Sequence, residues 1–390
     1  MILLCGRFDM ARIVIASLIV RYPVGGYQSW MLQWLLGLER LGHEVYFVEK
    51  AGWENSCFNP LTGQMGNDPS YGVDSLQNLF KRFGLEGRWC YVSFDGTYYG
   101  LSSQQVENIF RTTDLYIDHM RVCEWEEESQ HASLRVMVDG EPAFCQMQIE
   151  QRERNGEKFP MFDHYYSVGL NIGSLKTNAP DAGRHWRPVI ESILPELFSR
   201  LPPPAGSPWT TVMSWQAHSR IEYNGIRYGQ KDIEFEKFFD LPSRVKVPLE
   251  LAIAGKSTPW ERLLAAGWRL RDSHAVTLTY DAWLNYIQNS LGEFSVAKNV
   301  FVQTNSGWWS DRSSAYLASG RPVVVQDTGF SDHLPCGKGL FAVKTVEEAA
   351  AAIEEVVGNY KKHSEAAYGI ALEHLDARKV LGTFLNEIGM

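Results

Sequence analysis

The chain lacks what several protein classes require. Its 6 cysteines, at 5, 57, 90, 123, 145 and 336, include no Cys-x-x-Cys pair, and no Cys/His cluster has zinc spacing. Neither a disulfide frame nor a metal knot is expected, and the thiols read as reduced. Positive charge is also short: 37 Lys and Arg stand against 46 Asp and Glu, a net charge of −9. A duplex-DNA binder needs a cationic face, so no nucleic-acid partner is expected. No long hydrophobic run is present. The apolar stretch 11–20 is followed by Arg21, Tyr22 and Pro23, and it is about half the ~20 residues of a membrane span. Residues 1–4 are apolar, yet no cleavage-site pattern follows. Met10-Ala11-Arg12 reads as a natural start with 1–9 as a tail, and a cytoplasmic location is expected. No Asp-x-Asp metal motif occurs, so the metal-binding set is expected to be empty.

What is present is ordinary globular material. The 390 residues are 45% hydrophobic and 21% charged, which suits two or three domains and excludes a wholly disordered or fibrous chain. The 13 Trp are read as core, or else as stacking walls for a sugar or base.

The first fifty residues give the clearest pattern. A strand over 11–18, a loop with Gly25-Gly26, a helix over 27–41 closed by Gly42, and a strand over 44–49 form a strand–loop–helix–strand unit. Such a unit implies a right-handed crossover and a parallel pair. Strands are predicted at 88–94, 114–118, 134–139 and 164–169, with a helix at 104–111. Residues 201–208, Leu-Pro-Pro-Pro-Ala-Gly-Ser-Pro, read as a linker. The α/β pattern then restarts, with strands at 209–216, 249–254, 274–279, 300–304 and 322–326. Helices are predicted at 231–239, 260–266, 280–290, 313–319, 345–359, 363–374 and 377–388. The expected fold class is α/β: two Rossmann-like doubly wound parallel-sheet domains facing an interdomain cleft, with ligands at the carboxyl ends of the strands. The predicted boundaries are 1–203, 204–365, and 366–390 as helices crossing back to the first domain.

The most informative run is Ser306-Gly307-Trp308-Trp309-Ser310-Asp311-Arg312-Ser313, continuing through Gly320-Arg321-Pro322 to Asp327-Thr328-Gly329-Phe330. It reads as a strand ending at Thr304, a glycine-bearing loop, and a helix capped by Ser310 or Asp311. The helix stops at Gly320, and a buried strand follows. The free N–H groups of that helix start form an anion site suited to a diphosphate. This run, with the Gly25-Gly26 loop and the paired C-terminal helices, resembles nucleotide-sugar glycosyltransferases of the GT-B fold. The resemblance implies a sugar-nucleotide donor as co-substrate on the C-terminal domain and no further cofactor. Two departures stand out. Many retaining members carry two glutamates seven residues apart, and the matching positions here are Gly307 and Ala315. The His-Cys-Gly-Trp-Asn-Ser box of plant-type inverting members is also missing.

Candidate site residues follow. Gly25 and Gly26 would line the cleft. Arg220 and Lys231 would meet the donor phosphates, as would Ser310, Asp311, Arg312 and Ser313 at the helix start. Glu293, in a polar insert with Ser290, Phe294 and Lys298, would accept ribose hydroxyls. For the acceptor side, Asp139 and Glu141 are the leading bases, with His164, Asp118 and His119 behind them. The expected function is transfer of a sugar from a nucleotide diphosphate sugar to an acceptor, without metal. The alternatives are an epimerase on the same fold or a catalytically silent nucleotide-sugar-binding protein.

Overall fold

The computed structural model describes residues 10–217, 219–255 and 257–390; the proposed tail at 1–9 lies outside them. Two parallel-rich sheets dominate. The first has eight strands in the order Trp186–Pro188, His164–Ser167, Leu134–Asp139, Leu115–His119, Arg12–Ala16, Glu44–Lys50, Trp89–Val92, Tyr98–Gly100. The second has six: Arg269–Asp272, Leu249–Ala254, Trp209–Ser214, Gly292–Ser295, Val323–Gln326, Leu340–Val343. Helices alternate with the strands, and the Rossmann-like α/β class holds.

By their contacts the described residues form two compact units: those within 10–139, 160–166 and 377–390, and those within 140–159 and 167–376. In the first unit, strand Arg12–Ala16 pairs in parallel with Glu44–Lys50 and with Leu115–His119. Ile13, Val14 and Ile15 are fully buried there, as a central strand covered on both faces requires. Helix Gly25–Arg40 covers this sheet and receives the last helix, Ala377–Glu387. A Cβ at Gly37 would come within 2.6 Å of Leu381, so the close crossing depends on glycine. Trp34 and Phe384 meet edge to face at 5.6 Å.

In the six-stranded sheet of the second unit all neighbouring strands run parallel. Its core takes Trp209, Trp215, Phe235, Trp268 and Phe294, so these tryptophans are core rather than ligand walls.

The boundaries differ from the predicted 203/204. The proline-rich stretch 201–208 lies within the second unit. Residues 167–200 already belong there because their backbone is bonded to it. Leu170 and Asn171 donate to the carbonyls of Gly307 and Ser306, and Ile193 donates to Leu375. Of the closing helices, only the last belongs to the first unit.

Two predicted strands are helices instead. Residues Ser273–Thr277 are helical, and the neighbouring strand is Arg269–Asp272; Asn299–Gln303 is helical, and its strand is Gly292–Ser295. Thr304 therefore ends a helix. The β-branched run Val300-Phe301-Val302 outweighed the short polar Gly-Glu-Phe-Ser in the sequence reading, whereas burial on the sheet favoured the latter. Helices Ser70–Arg82 and Phe144–Arg154 were not predicted.

Candidate functional site: three cations on the second unit

Helix Asp311–Ala318 follows a turn from residues 304–310. Ser310 holds the N-cap position, with φ −92° and ψ 134°, but its side chain makes no cap bond. Ser310 thus holds the predicted cap position without a cap bond, whereas the Asp311 carboxylate accepts from the amide of Arg312 and from its own. Burial pushes the Asp311 carboxyl up. Ser313 is buried one turn in. A small pocket of about 10 Å³ lies beside this turn, lined by Ser295, Trp308, Ser310, Arg312, Ser313 and Gln326 among others.

Arg312 reaches under the turn onto the sheet. Its Nε donates to Glu293 Oε1 at 2.7 Å and its Nη2 to Ser295 Oγ at 2.8 Å. Burial works against the guanidinium charge, but Glu293 more than offsets it and holds the arginine above its ordinary range. Glu293 is fully buried. Its Oε1 is the counter-ion beneath Arg312, and its Oε2 has no hydrogen-bond partner among the described residues.

Lys231 is the unusual group. It opens helix Lys231–Phe235 and is 8% exposed, yet it makes no hydrogen bond or ion pair among the described residues. Its ammonium lies 5.9 Å from the Trp308 ring centre. Burial pushes its pKa well below the ordinary lysine range, and the charges of Arg312 and Lys298 push the same way, against Glu293 and Glu141. A buried cation among other cations is costly unless an anion arrives.

Lys298 completes the set. It occupies the N-cap position of helix Asn299–Gln303, and its Nζ meets both oxygens of Glu141, at 2.5 and 2.6 Å. Trp308 packs on Phe301, with ring centres 5.0 Å apart, and Lys298 lies 5.4 Å from the same Phe301 ring centre.

A polar frame fixes these groups. The buried Glu234 carboxylate accepts from Asn299 Nδ2 at 2.7 Å, Gln326 Nε2 at 2.5 Å and Lys237 Nζ at 2.6 Å. Asn299 Oδ1 in turn accepts from the Gly229 amide at 2.9 Å. The helix that bears Lys231 is thereby tied to the helix after Lys298 and to strand Val323–Gln326.

Arg220 is two-fifths exposed and paired with Asp232 at 3.1 Å. Gly25 and Gly26 begin helix Gly25–Arg40, whose N-cap Val24 gives no side-chain bond. Asp139 is buried as the last residue of its strand. The Asp118 carboxylate accepts from the Val122 and Cys123 amides at 2.7 and 2.8 Å, and burial raises it to about 6. His119 is packed edge-on against Trp30 and Trp34 at 4.4 and 4.7 Å, and burial lowers it to about 3. It is a neutral core ring, which corrects its place among the bases. His164 opens its own strand. The Asp163 amide beside it bonds Arg135 near the start of strand Leu134–Asp139, so His164 sits at the opposite end of that strand from Asp139.

Glutamate at position 307 is excluded by shape. Gly307 has φ +73°, and a Cβ there would lie 2.7 Å from the Asn171 amide nitrogen. Ala315 is fully buried. The sequence signalled Lys231, Arg312 and the helix start. It gave Lys298 only as part of a polar insert, and it said nothing of Glu234 as the anchor.

Two sheets with this strand order, the polar turn and the final helix returning to the first unit define the fold of the GT-B glycosyltransferases. Comparison with solved structures agrees over nearly the whole chain. An alpha-glucosyltransferase in complex with UDP-glucose and DNA containing an abasic site matches at TM-score 0.58 and 11% identity, over 98% of this chain and 100% of that one. Anabaena HepE in complex with UDP and glucose matches at TM-score 0.57 and 11% identity, over 97% and 99%. A structure named for UDP-N-acetylglucosamine 2-epimerase, from Listeria monocytogenes, matches at TM-score 0.50 and 12% identity, over 97% and 96%. No protein-family model matches the chain, and no curated protein matches its sequence. Among the described residues no helix is long and apolar enough to cross a membrane, and no group of His, Cys, Asp and Glu is placed to hold a metal ion.

Proposed function

We propose that the protein is a glycosyltransferase whose second unit binds a nucleotide diphosphate sugar, with Lys231, Lys298 and Arg312 facing the diphosphate. The observation that carries this reading is Lys231, a buried ammonium with no anionic partner beside two further cations. A diphosphate supplies the missing charge. The start of helix Asp311–Ala318, where Ser310 makes no cap bond, adds amide donors of the kind that hold phosphates, with Ser310, Asp311 and Ser313 in that turn. In the transfer, charge develops on the leaving diphosphate, and fixed cations in a water-poor site stabilise it most where it develops. No residue of the set calls for a metal.

On the acceptor side, Asp139 or Glu141 takes or orients the hydroxyl proton. Arg220, paired with Asp232, is at most an outer contact to phosphate, and Gly25-Gly26 offers backbone donors on the first unit. Duplex DNA is a poor acceptor for a chain of net charge −9, although the alpha-glucosyltransferase structure contains DNA.

The test is calorimetry with UDP, GDP, TDP and ADP, followed by incubation with the matching nucleotide sugars. Free nucleotide should appear faster when acceptors are added. If none of the four nucleotides binds, the donor reading fails. The second reading, an epimerase, draws on the likeness to the Listeria structure. It requires a changed sugar from donor alone, with no acceptor. Binding with neither outcome would mark a silent nucleotide-sugar-binding protein.

A further inference from the structure

The three cations differ in one respect. Arg312 rests on the fully buried carboxylate of Glu293 on the neighbouring strand, and Lys231 has no partner. Lys298 is held by Glu141, whose side chain keeps about a quarter of its surface exposed. Glu141 comes from the turn Asp139-Gly140-Glu141-Pro142, ahead of helix Phe144–Arg154. That turn is strained: Ala143 has φ +67° and ψ −47°, a conformation that costs a non-glycine residue energy. Its amide bonds Gln146 Oε1 at 2.6 Å, which helps hold the conformation in place. The strained turn thus delivers a carboxylate onto Lys298, in a set in which the buried Lys231 has no bonded anion.

We propose that Glu141 is the resident anion of this site. It occupies Lys298 while the site is empty and yields it to the donor's diphosphate. The proposal rests on the donor reading above and deepens it. Two physical points support it. A carboxylate gripped through both oxygens mimics two oxygens of a phosphate, so the two anions compete for one ammonium. A phosphate also brings more negative charge to the neighbouring Lys231 than Glu141 supplies, since the lysine has no direct partner while Glu141 is in place. Donor binding and release of the Glu141 carboxylate are then one event. The freed carboxylate becomes available to orient an acceptor hydroxyl only once the donor is seated, and water finds no such group in the empty enzyme.

The signature is a split between affinity and turnover. In Glu141→Gln the competing charge is gone, so UDP and inorganic pyrophosphate should bind about tenfold tighter by calorimetry. Transfer from the nucleotide sugar should meanwhile slow by about tenfold or more. Glu141→Ser should show the same split, and equal melting temperatures with and without urea preincubation certify that either variant is folded. A merely structural residue would lower both quantities. If wild type binds UDP, Lys231→Ala loses it, and both Glu141 variants bind UDP no tighter than wild type, the resident-anion proposal is overturned while the donor reading stands. If neither UDP nor pyrophosphate binds any of the proteins, both fall together.

Discussion

The two units handle buried charge in opposite ways. In the first, Glu49 is fully buried and accepts from the amides of Ile19, Val20 and Arg21 at 2.7, 2.6 and 2.9 Å, as well as from Arg21 Nε at 3.1 Å. Arg21 also reaches Glu124 at 3.1 Å and lies 5.0 Å from the Trp53 ring centre. One guanidinium thus faces two carboxylates, and burial raises Glu124 to about 7. In the second unit the surplus has the other sign. Glu293 and Glu141 bond Arg312 and Lys298, and the Asp311 carboxyl, pushed up by burial, also acts on Arg312, but no carboxylate bonds Lys231. Both clusters are buried and both hold the turns that follow parallel strands. The acidic surplus is relieved by taking up a proton, because a carboxyl near neutrality can. A guanidinium cannot give its proton up, so the cationic surplus is relieved either at Lys231 or by a bound anion. A buried charge that is tied to backbone amides is structural; one left without a partner beside like charges points to a ligand.

The contrast can be broken most sharply at Arg312. Arg312→Ala leaves Glu293 buried without its counter-ion and should cost about 3–5 kcal/mol in urea unfolding. The paired change Arg312→Met with Glu293→Leu should recover most of that loss. If Arg312→Ala is as stable as wild type, the carboxylate is not buried as described. In the first unit, Glu49→Gln replaces one of the two acceptor oxygens that serve three amides with an NH2 donor and weakens the grip on Arg21, and should cost about 2–3 kcal/mol.

Lys231→Met should do the reverse of both. UDP affinity should fall about 10- to 100-fold, the size of one charge-assisted bond, with no loss of stability in the unliganded protein. The pH dependence carries the sign. A lysine whose folded pKa is lowered binds fewer protons folded than unfolded. Stability therefore rises with pH up to the unfolded value near ~10.4. The slope of stability between neutral pH and pH ~10 should be shallower in Lys231→Met; an unchanged slope would mean Lys231 is not the deprotonating group. Glu124 predicts the opposite sign. Its raised folded value means the folded chain holds a proton that the unfolded chain has lost. Its contribution is present below the unfolded pKa, near ~4.3, and disappears as pH rises through about 7. Glu124→Gln should flatten the decline over that window relative to wild type.

The smallest effect is expected at Arg220. Its pair with Asp232 is two-fifths exposed on the arginine side, so Arg220→Ala should change stability by under ~1 kcal/mol. UDP affinity should fall far less than in Lys231→Met. An equal loss in the two variants would move the phosphate contact toward Arg220.

Much of the fold was legible because hydrophobic period and turn residues are local properties. The strands Leu134–Asp139 and Leu249–Ala254 match the predicted ranges because apolar runs there are bounded by polar or glycine residues. Helix Asp311–Ala318 was legible from Ser-Asp ahead of it and Gly320 behind it. Gly292–Ser295 and Asn299–Gln303 were exchanged because each is too short for a period to show. Their assignment depends on strand Gly292–Ser295 pairing with both Trp209–Ser214 and Val323–Gln326, partners far away in sequence.

The same division runs through the site. The sequence by itself determined the α/β alternation, the glycine-bearing turn before a helix, and the presence of Lys231 and Arg312 near where a phosphate would bind, because each is set by residues within a few positions of one another. Only the tertiary structure decided which charges are answered. Glu293 lies on a strand and Arg312 on a helix 19 residues later, and Glu141 reaches Lys298 across 157 positions. No spacing rule reaches that far; burial and distance pair two of the cations and leave Lys231 with none.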